Sequence, residues 1–228
     1  MFEEIRKLLN GYTEDSKARV AKDEVEEVKF VQPRSKVLLT ECSRLIITNV
    51  CKADVFSGVK VVCKKDSDAR IKYRTTLALD DGNIITVTGE TDESLEYKDI
   101  CIMPWEDKNL SGIKLTEAQP KAQILAEMKG KAEAFFKHIN CEPQQYWAVL
   151  TTGILWSFKL RIYKEGHTTN FSTEVLNALN EDDFTRIVKL LILSINNCVT
   201  LIEQINNCAI SALVEPGANS SADDEDRE

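Results

Sequence analysis

At 228 residues the chain is long enough for one domain with a sizeable core and loose ends. A composition of 43% hydrophobic and 29% charged residues excludes disorder of the whole chain. The formal net charge is -8, and the stretch after Pro216 (Asp223, Asp224, Glu225, Asp226 and Glu228 against Arg227) carries -4 of it. The remaining body is mildly acidic, which argues against broad non-specific nucleic-acid binding yet leaves room for a local cationic patch.

Seven cysteines are present, with no CxxC pair, and only two histidines, His138 and His167. Zinc needs clustered Cys or His ligands, so this pattern predicts reduced, mostly buried thiols rather than a zinc centre. The start, Met-Phe-Glu-Glu-Ile, has no apolar core of a signal peptide. The greasy stretch Leu190 to Ile202 is short for a bilayer and is interrupted by Asn196 and Asn197. The expected location is cytoplasmic or nuclear, with no membrane involvement.

In chain order, residues 1–30 read as a charged N-terminal arm, an appendage or a packing arm, with a short helix on Phe2, Ile5, Leu8 and Leu9 that Gly11 would stop. A domain over 31–213 follows. Val37, Leu38, Cys42, Leu45 and Ile46 recur at helical spacing after Pro33. Val59, Val61 and Cys63 alternate with polar residues, as do Ile71, Tyr73, Thr75, Leu77 and Leu79. Asp80-Asp81-Gly82-Asn83 then predicts a turn into Ile84-Ile85 and Val87, a β-hairpin. The continuous run Ile100-Cys101-Ile102-Met103 predicts a buried central strand. A helix is expected from Glu117 to His138, strands at Tyr146–Leu150 and Leu155–Ile162 around Thr151-Thr152-Gly153, and a long apolar helix from about Glu181 to Leu213. Glu181, Asp182 and Asp183 suit the positive end of that last helix. Residues 214–228 read as a disordered acidic tail. The order predicts an α/β fold with a mixed central sheet flanked by helices.

The stretch with chemical potential runs from Asp92 to Glu106-Asp107-Lys108. On an extended strand Glu106 and Lys108 share parity and face one side, and Asp92 lies in the connection leading in. Two carboxylates that converge can hold a hard cation such as Mg²⁺, which polarises a phosphate and helps form hydroxide from water. A lysine beside them offsets charge developing on that phosphate.

An upstream Asp and a Glu-x-Lys at the end of a hydrophobic strand, in an αβββαββ order, resembles the PD-(D/E)XK, restriction-endonuclease-like superfamily. The segment from Tyr146 through Thr152-Gly153 to Trp156-Ser157-Phe158 is similar to a hairpin in Crinkler-type effector domains and related microbial and fungal proteins. The resemblance spans roughly 35–164. It implies a metal-dependent nuclease acting on DNA or RNA, or a degenerate relative of one, with Asp92 and Glu106 as catalytic metal ligands and Lys108 at the phosphate. It also implies Gln119 or Gln123 as the glutamine of the following helix, and Glu41 as the first-helix acid completing a Mg²⁺ site. Thr91 stands where the named motif has proline.

Plainer readings compete. Glu106, Asp107 and Lys108 suit a solvated turn after a strand, and Asp92 suits a turn residue. Trp147, Trp156 and Phe158 suit a core. The basic run Lys60, Lys64, Lys65, Arg70, Lys72 and Arg74 suits either phosphates or a solvated strand face. The alternative function is a non-catalytic protein-interaction module or effector on the same scaffold, with a protein partner or a homodimer through the C-terminal helix.

Overall fold

The computed structural model describes residues 1–23, 34–50, 58–63, 72–78, 82–108 and 118–213. The acidic tail and part of the basic run, Lys64, Lys65 and Arg70, lie outside these.

Four helices and nine strands are described: α1 (Phe2–Asp23), α2 (Arg34–Val50), β1 (Val59–Cys63), β2 (Lys72–Ala78), β3 (Ile84–Glu90), β4 (Glu93–Tyr97), β5 (Ile100–Asp107), α3 (Ala118–Ile139), β6 (Gln145–Thr151), β7 (Leu155–Lys164), β8 (His167–Ser172), β9 (Leu176–Asn177) and α4 (Glu181–Leu213). The main sheet runs β1-β4-β5-β6-β7-β8, with β9 also paired to β7. All neighbours are antiparallel except β5 and β6, which run parallel because α3 carries the chain back between them. The mixed α/β architecture and the long C-terminal helix therefore stand as the sequence predicts.

The predicted hairpin forms, with Tyr73 opposite Gly89 and Ala78 opposite Ile84, but β2 and β3 make a separate two-stranded sheet. Its inner residues Tyr73 and Thr75 are buried against α3, close to Gly130. The sheet position next to β5 is filled instead by β4, Glu-Ser-Leu-Glu-Tyr, whose polar composition hides a strand that is almost wholly buried. The central strand does not end at Met103. It continues through the buried Pro104 and Trp105 to Asp107, and the one irregularity lies across from it, between Leu95 and Glu96. Proline's missing N–H is tolerated there, since this strand's pairing with β6 begins only at Trp105.

The two faces of β5 have different neighbours, because successive side chains point opposite ways. Trp105 meets Trp156 edge to face at 5.4 Å, and Trp156 in turn meets Tyr12 of α1 at 6.0 Å. Glu106 faces α3. On the tryptophan side α1 and α2 pack together, and α4 lies across α2, β5 and β6.

The arm expected over 1–30 is part of the body as far as it is described. The helix passes through Gly11 to Asp23, and Ile5, Leu9 and Tyr12 belong to the same core as the sheet. Glycine costs a helix about 1 kcal/mol against alanine, and burial of those three side chains outweighs that. Asn180 caps α4 by accepting the Asp183 N–H at 3.0 Å, and Arg6 pairs with Glu181 in its first turn. By length and hydropathy α4 passes for a membrane span. Half of that span is nevertheless buried inside the protein, with Ile187, Leu191, Ile195, Cys198 and Ile202 fully enclosed, while Leu193 is 54% exposed.

Candidate active site at the end of the central strand

Asp92 sits in the two-residue link between β3 and β4, opposite the C-terminal end of β5. The link is held by reciprocal bonds. The Asp92 N–H donates to Glu106 Oε2 at 3.3 Å, and the Asp107 N–H donates to Asp92 Oδ2 at 3.2 Å. The two acids are therefore brought together, 14 residues apart in the chain.

Parallel pairing with β6 extends the extended backbone to Lys108, whose N–H donates to the Thr151 carbonyl at 2.7 Å. Parity then works as the sequence implies. Glu106 and Lys108 share a face, and the Lys108 ammonium pairs with Glu106 Oε1. Asp107 points the other way and accepts the Tyr12 hydroxyl at 3.1 Å. The plainer reading of this segment as a solvated turn fails for Glu106, which is 1% exposed.

Helix α3 supplies the rest. Gln123 Nε2 donates to Glu106 Oε1 at 2.6 Å. Of the two candidate glutamines, Gln123 is thus in the site, whereas the side chain of Gln119 lies outside the described residues. One turn later Glu127 is fully buried, a residue the sequence reading missed. The Gln123-x-x-x-Glu127 spacing was the available signal, since residues four apart share a helix face, but the apolar pattern of α3 masked it. Glu41, the expected third acid, accepts from Arg44 Nε at 2.9 Å, both on α2, and no described contact joins it to Asp92 or Glu106.

Electrostatics follow from this crowding. Burial first, and then the Asp92 charge, push the Glu106 carboxyl up to about 7, while Lys108 pulls it down. Burial first, and then the Glu106 charge, hold Glu127 well above the usual carboxylate range. The Thr91 hydroxyl and Lys131 pull it the other way, yet neither Glu127 oxygen nor the Thr91 hydroxyl closes a hydrogen bond of normal geometry. Tyr73 of the hairpin lies over Gly89, where a side chain would strike its ring. Burial, then Glu127 and Glu106, push its phenol up to about 12.

The donor chemistry fits a hard cation. The carboxylates of Asp92 and Glu106 lie side by side, and the buried Glu127 oxygens close no hydrogen bond of normal geometry. Among the described residues no group of three or more His, Cys, Asp or Glu side chains is gathered tightly enough to hold a metal ion. Beyond Tyr73 a cavity of about 240 Å³ is lined by Lys72, Arg74, Lys131 and Lys137 together with Glu96, Asp99 and Glu133, a surface of mixed charge.

Neither a scan against models of known protein families nor a search of curated proteins returns a match for this chain.

Proposed function

We propose that the chain is a Mg²⁺-dependent phosphodiester hydrolase of the PD-(D/E)XK type, acting on DNA or RNA. The observation that carries this reading is the reciprocal bonding of Asp92 and Glu106, with Lys108 on the same carboxylate. The helix–strand–strand–strand–helix–strand order around it also supports it, once the β2–β3 hairpin is set aside as an insertion between β1 and β4.

In this reading Asp92 and Glu106 hold the cation, whose contribution is to polarise the phosphate and acidify a bound water. Gln123 fixes the rotamer of Glu106 through its amide. Lys108 is anchored through its backbone to Thr151, and its ammonium moves from Glu106 to the anionic phosphate as substrate arrives. The test is cleavage of single- and double-stranded DNA and RNA by purified protein with Mg²⁺ or Mn²⁺. Metal-dependent cleavage that Glu106→Ala abolishes is the expected result. Absence of both cleavage and metal binding defeats the proposal.

A second reading has its own support. Both Glu106 oxygens already have protein partners, and the body is acidic overall. These features suit a scaffold that keeps the arrangement for stability and acts through protein contacts. In that case Lys108→Ala leaves cellular activity unchanged.

A further inference from the structure

The polar residues that interrupt the apolar run of α4 are not scattered. Asn196, Asn197, Thr200 and Gln204 recur at helical spacing and so form one stripe. That stripe faces the start of β6. Asn197 Nδ2 donates to the Gln145 carbonyl at 3.2 Å, and a cavity of about 250 Å³ lies between the stripe and Gln144, Gln145 and Trp147. Trp147 stands three residues before Leu150, the partner of Glu106, so it points to the opposite face of the sheet. The cavity is thus separate from the Asp92–Glu106 site.

Its chemistry is specific. None of the described residues that line it is ionisable. A charged ligand would enter without a counter-charge, which argues against phosphate or ammonium groups. Two of its polar atoms are buried and open. Trp147 is 9% exposed, and neither its Nε1–H nor Gln204 Oε1 closes a hydrogen bond with a described residue. Buried polar groups are nearly always satisfied, because an open one costs free energy. One of these two atoms is a donor and the other an acceptor. A ligand that satisfies both carries an acceptor beside a donor on one edge. Adenine does, with a ring nitrogen beside its amino group, the edge that Asn and Gln side chains read in a bidentate manner. Leu193 and Leu201 add apolar surface for the faces of a flat ring. Pockets for drug-sized ligands run to roughly 300–1,000 Å³, so this smaller one suits a single base rather than a nucleotide.

We propose that the cavity between α4 and β6 binds a neutral nucleobase of the adenine pattern. The Trp147 indole N–H donates to a ring nitrogen, and Gln204 Oε1 accepts from the amino group. The site uses no residue of the carboxylate centre and does not depend on the nuclease reading.

The probe is adenine, titrated into the metal-free full chain labelled with a heavy nitrogen isotope, and the readout is the indole N–H resonance of Trp147. The chain has three tryptophans, and the signal lost in Trp147→Phe assigns the one in the cavity. That signal moves saturably with adenine. Purine, which lacks the amino group, binds about tenfold more weakly, and so does adenine to Gln204→Leu. Glucose, neutral and rich in hydroxyls, leaves the signal in place. The purine and glucose comparisons need no variant, so the proposal stays testable should Gln204→Leu misfold. A Trp147 signal that ignores adenine, or that answers purine or glucose as it answers adenine, overturns the site. So does a folded Gln204→Leu protein that binds adenine as the wild type does.

Discussion

Asp92 and Glu106 hold each other's segments: the Asp92 N–H binds the Glu106 carboxylate, and the Asp92 carboxylate binds the N–H following Glu106. Removing one charge without removing the acceptor therefore separates metal binding from folding. Asp92→Asn keeps an oxygen for the Asp107 N–H and loses the charge of the proposed metal ligand. We expect Mn²⁺ affinity, measured by calorimetry, to fall at least tenfold, about 1.4 kcal/mol. Cleavage should fall with it, while the far-ultraviolet circular dichroism stays unchanged. An Asp92→Asn protein with native Mn²⁺ affinity contradicts the metal role.

The raised pKa of Glu106 has a consequence for stability, and its sign is opposite to that of an ordinary salt-bridged acid. With a folded value of about 7 against an ordinary carboxyl value of 4.5, the native state binds more protons than the unfolded chain between those limits. Stability contributed by the protonated form is then present below about pH 4.5 and is lost as pH rises through about 7. The difference corresponds to roughly 3 kcal/mol at most, and Glu127 acts in the same direction. Urea denaturation of metal-free protein should therefore show greater stability at pH 5 than at pH 7.5. Mg²⁺ should narrow the gap by stabilising ionised Glu106, and Glu106→Gln should flatten the dependence. A profile that rises from pH 5 to 7.5 without metal refutes this assignment.

Gln123 supports the ionised form of Glu106 with a 2.6 Å hydrogen bond. Its loss in Gln123→Ala moves the carboxyl further up and costs about 1–3 kcal/mol of stability. The acidic limb of the pH–rate profile should shift to higher pH. That shift separates a site role from a packing role, because a packing residue would lower the melting temperature and leave the limb where it was.

Parts of this arrangement are visible in the amino-acid order and parts are not. The parity of Glu106 and Lys108 follows from two-residue periodicity, so their shared face is legible, as is the hairpin from its Asp-Asp-Gly-Asn turn. The strand Glu93–Tyr97 is not, because its two glutamates look solvated until β1, β5 and the hairpin enclose them. The same cause hides Glu127, which sits among alanines, Leu125 and Met128 and whose burial depends on where the hairpin folds back. Glu41 is the opposite case. Its place before the first strand is what the nuclease resemblance implied for an acid, but Arg44, three residues along the same helix, pairs with it. Local spacing determines which face a side chain takes, whereas the choice of neighbour depends on long-range packing.

The first helix offers the last test. Its Thr13 hydroxyl donates to the Gly153 carbonyl at 3.3 Å, and Ser16 and Tyr12 close over Gly153 in the β6–β7 turn. Gly153 has a φ of +83°, a conformation that L side chains rarely adopt, and an added methyl would also run into the Ser16 side chain. Gly153→Ala therefore combines backbone strain with a clash, and it should destabilise the protein by roughly 1–3 kcal/mol. The damage should spread from the turn to α1 and to Trp156, whose indole N–H donates to the same carbonyl at 3.2 Å. Hydrogen exchange should show protection lost together in α1 and the β6–β7 turn. Ser16→Gly, made alongside Gly153→Ala, should recover the part of the loss due to the clash and leave the part due to φ. If Gly153→Ala leaves exchange in α1 unaltered, the helix is not tied to the sheet through this turn, and residues 1–23 would behave as the detachable arm that their charge alone implies.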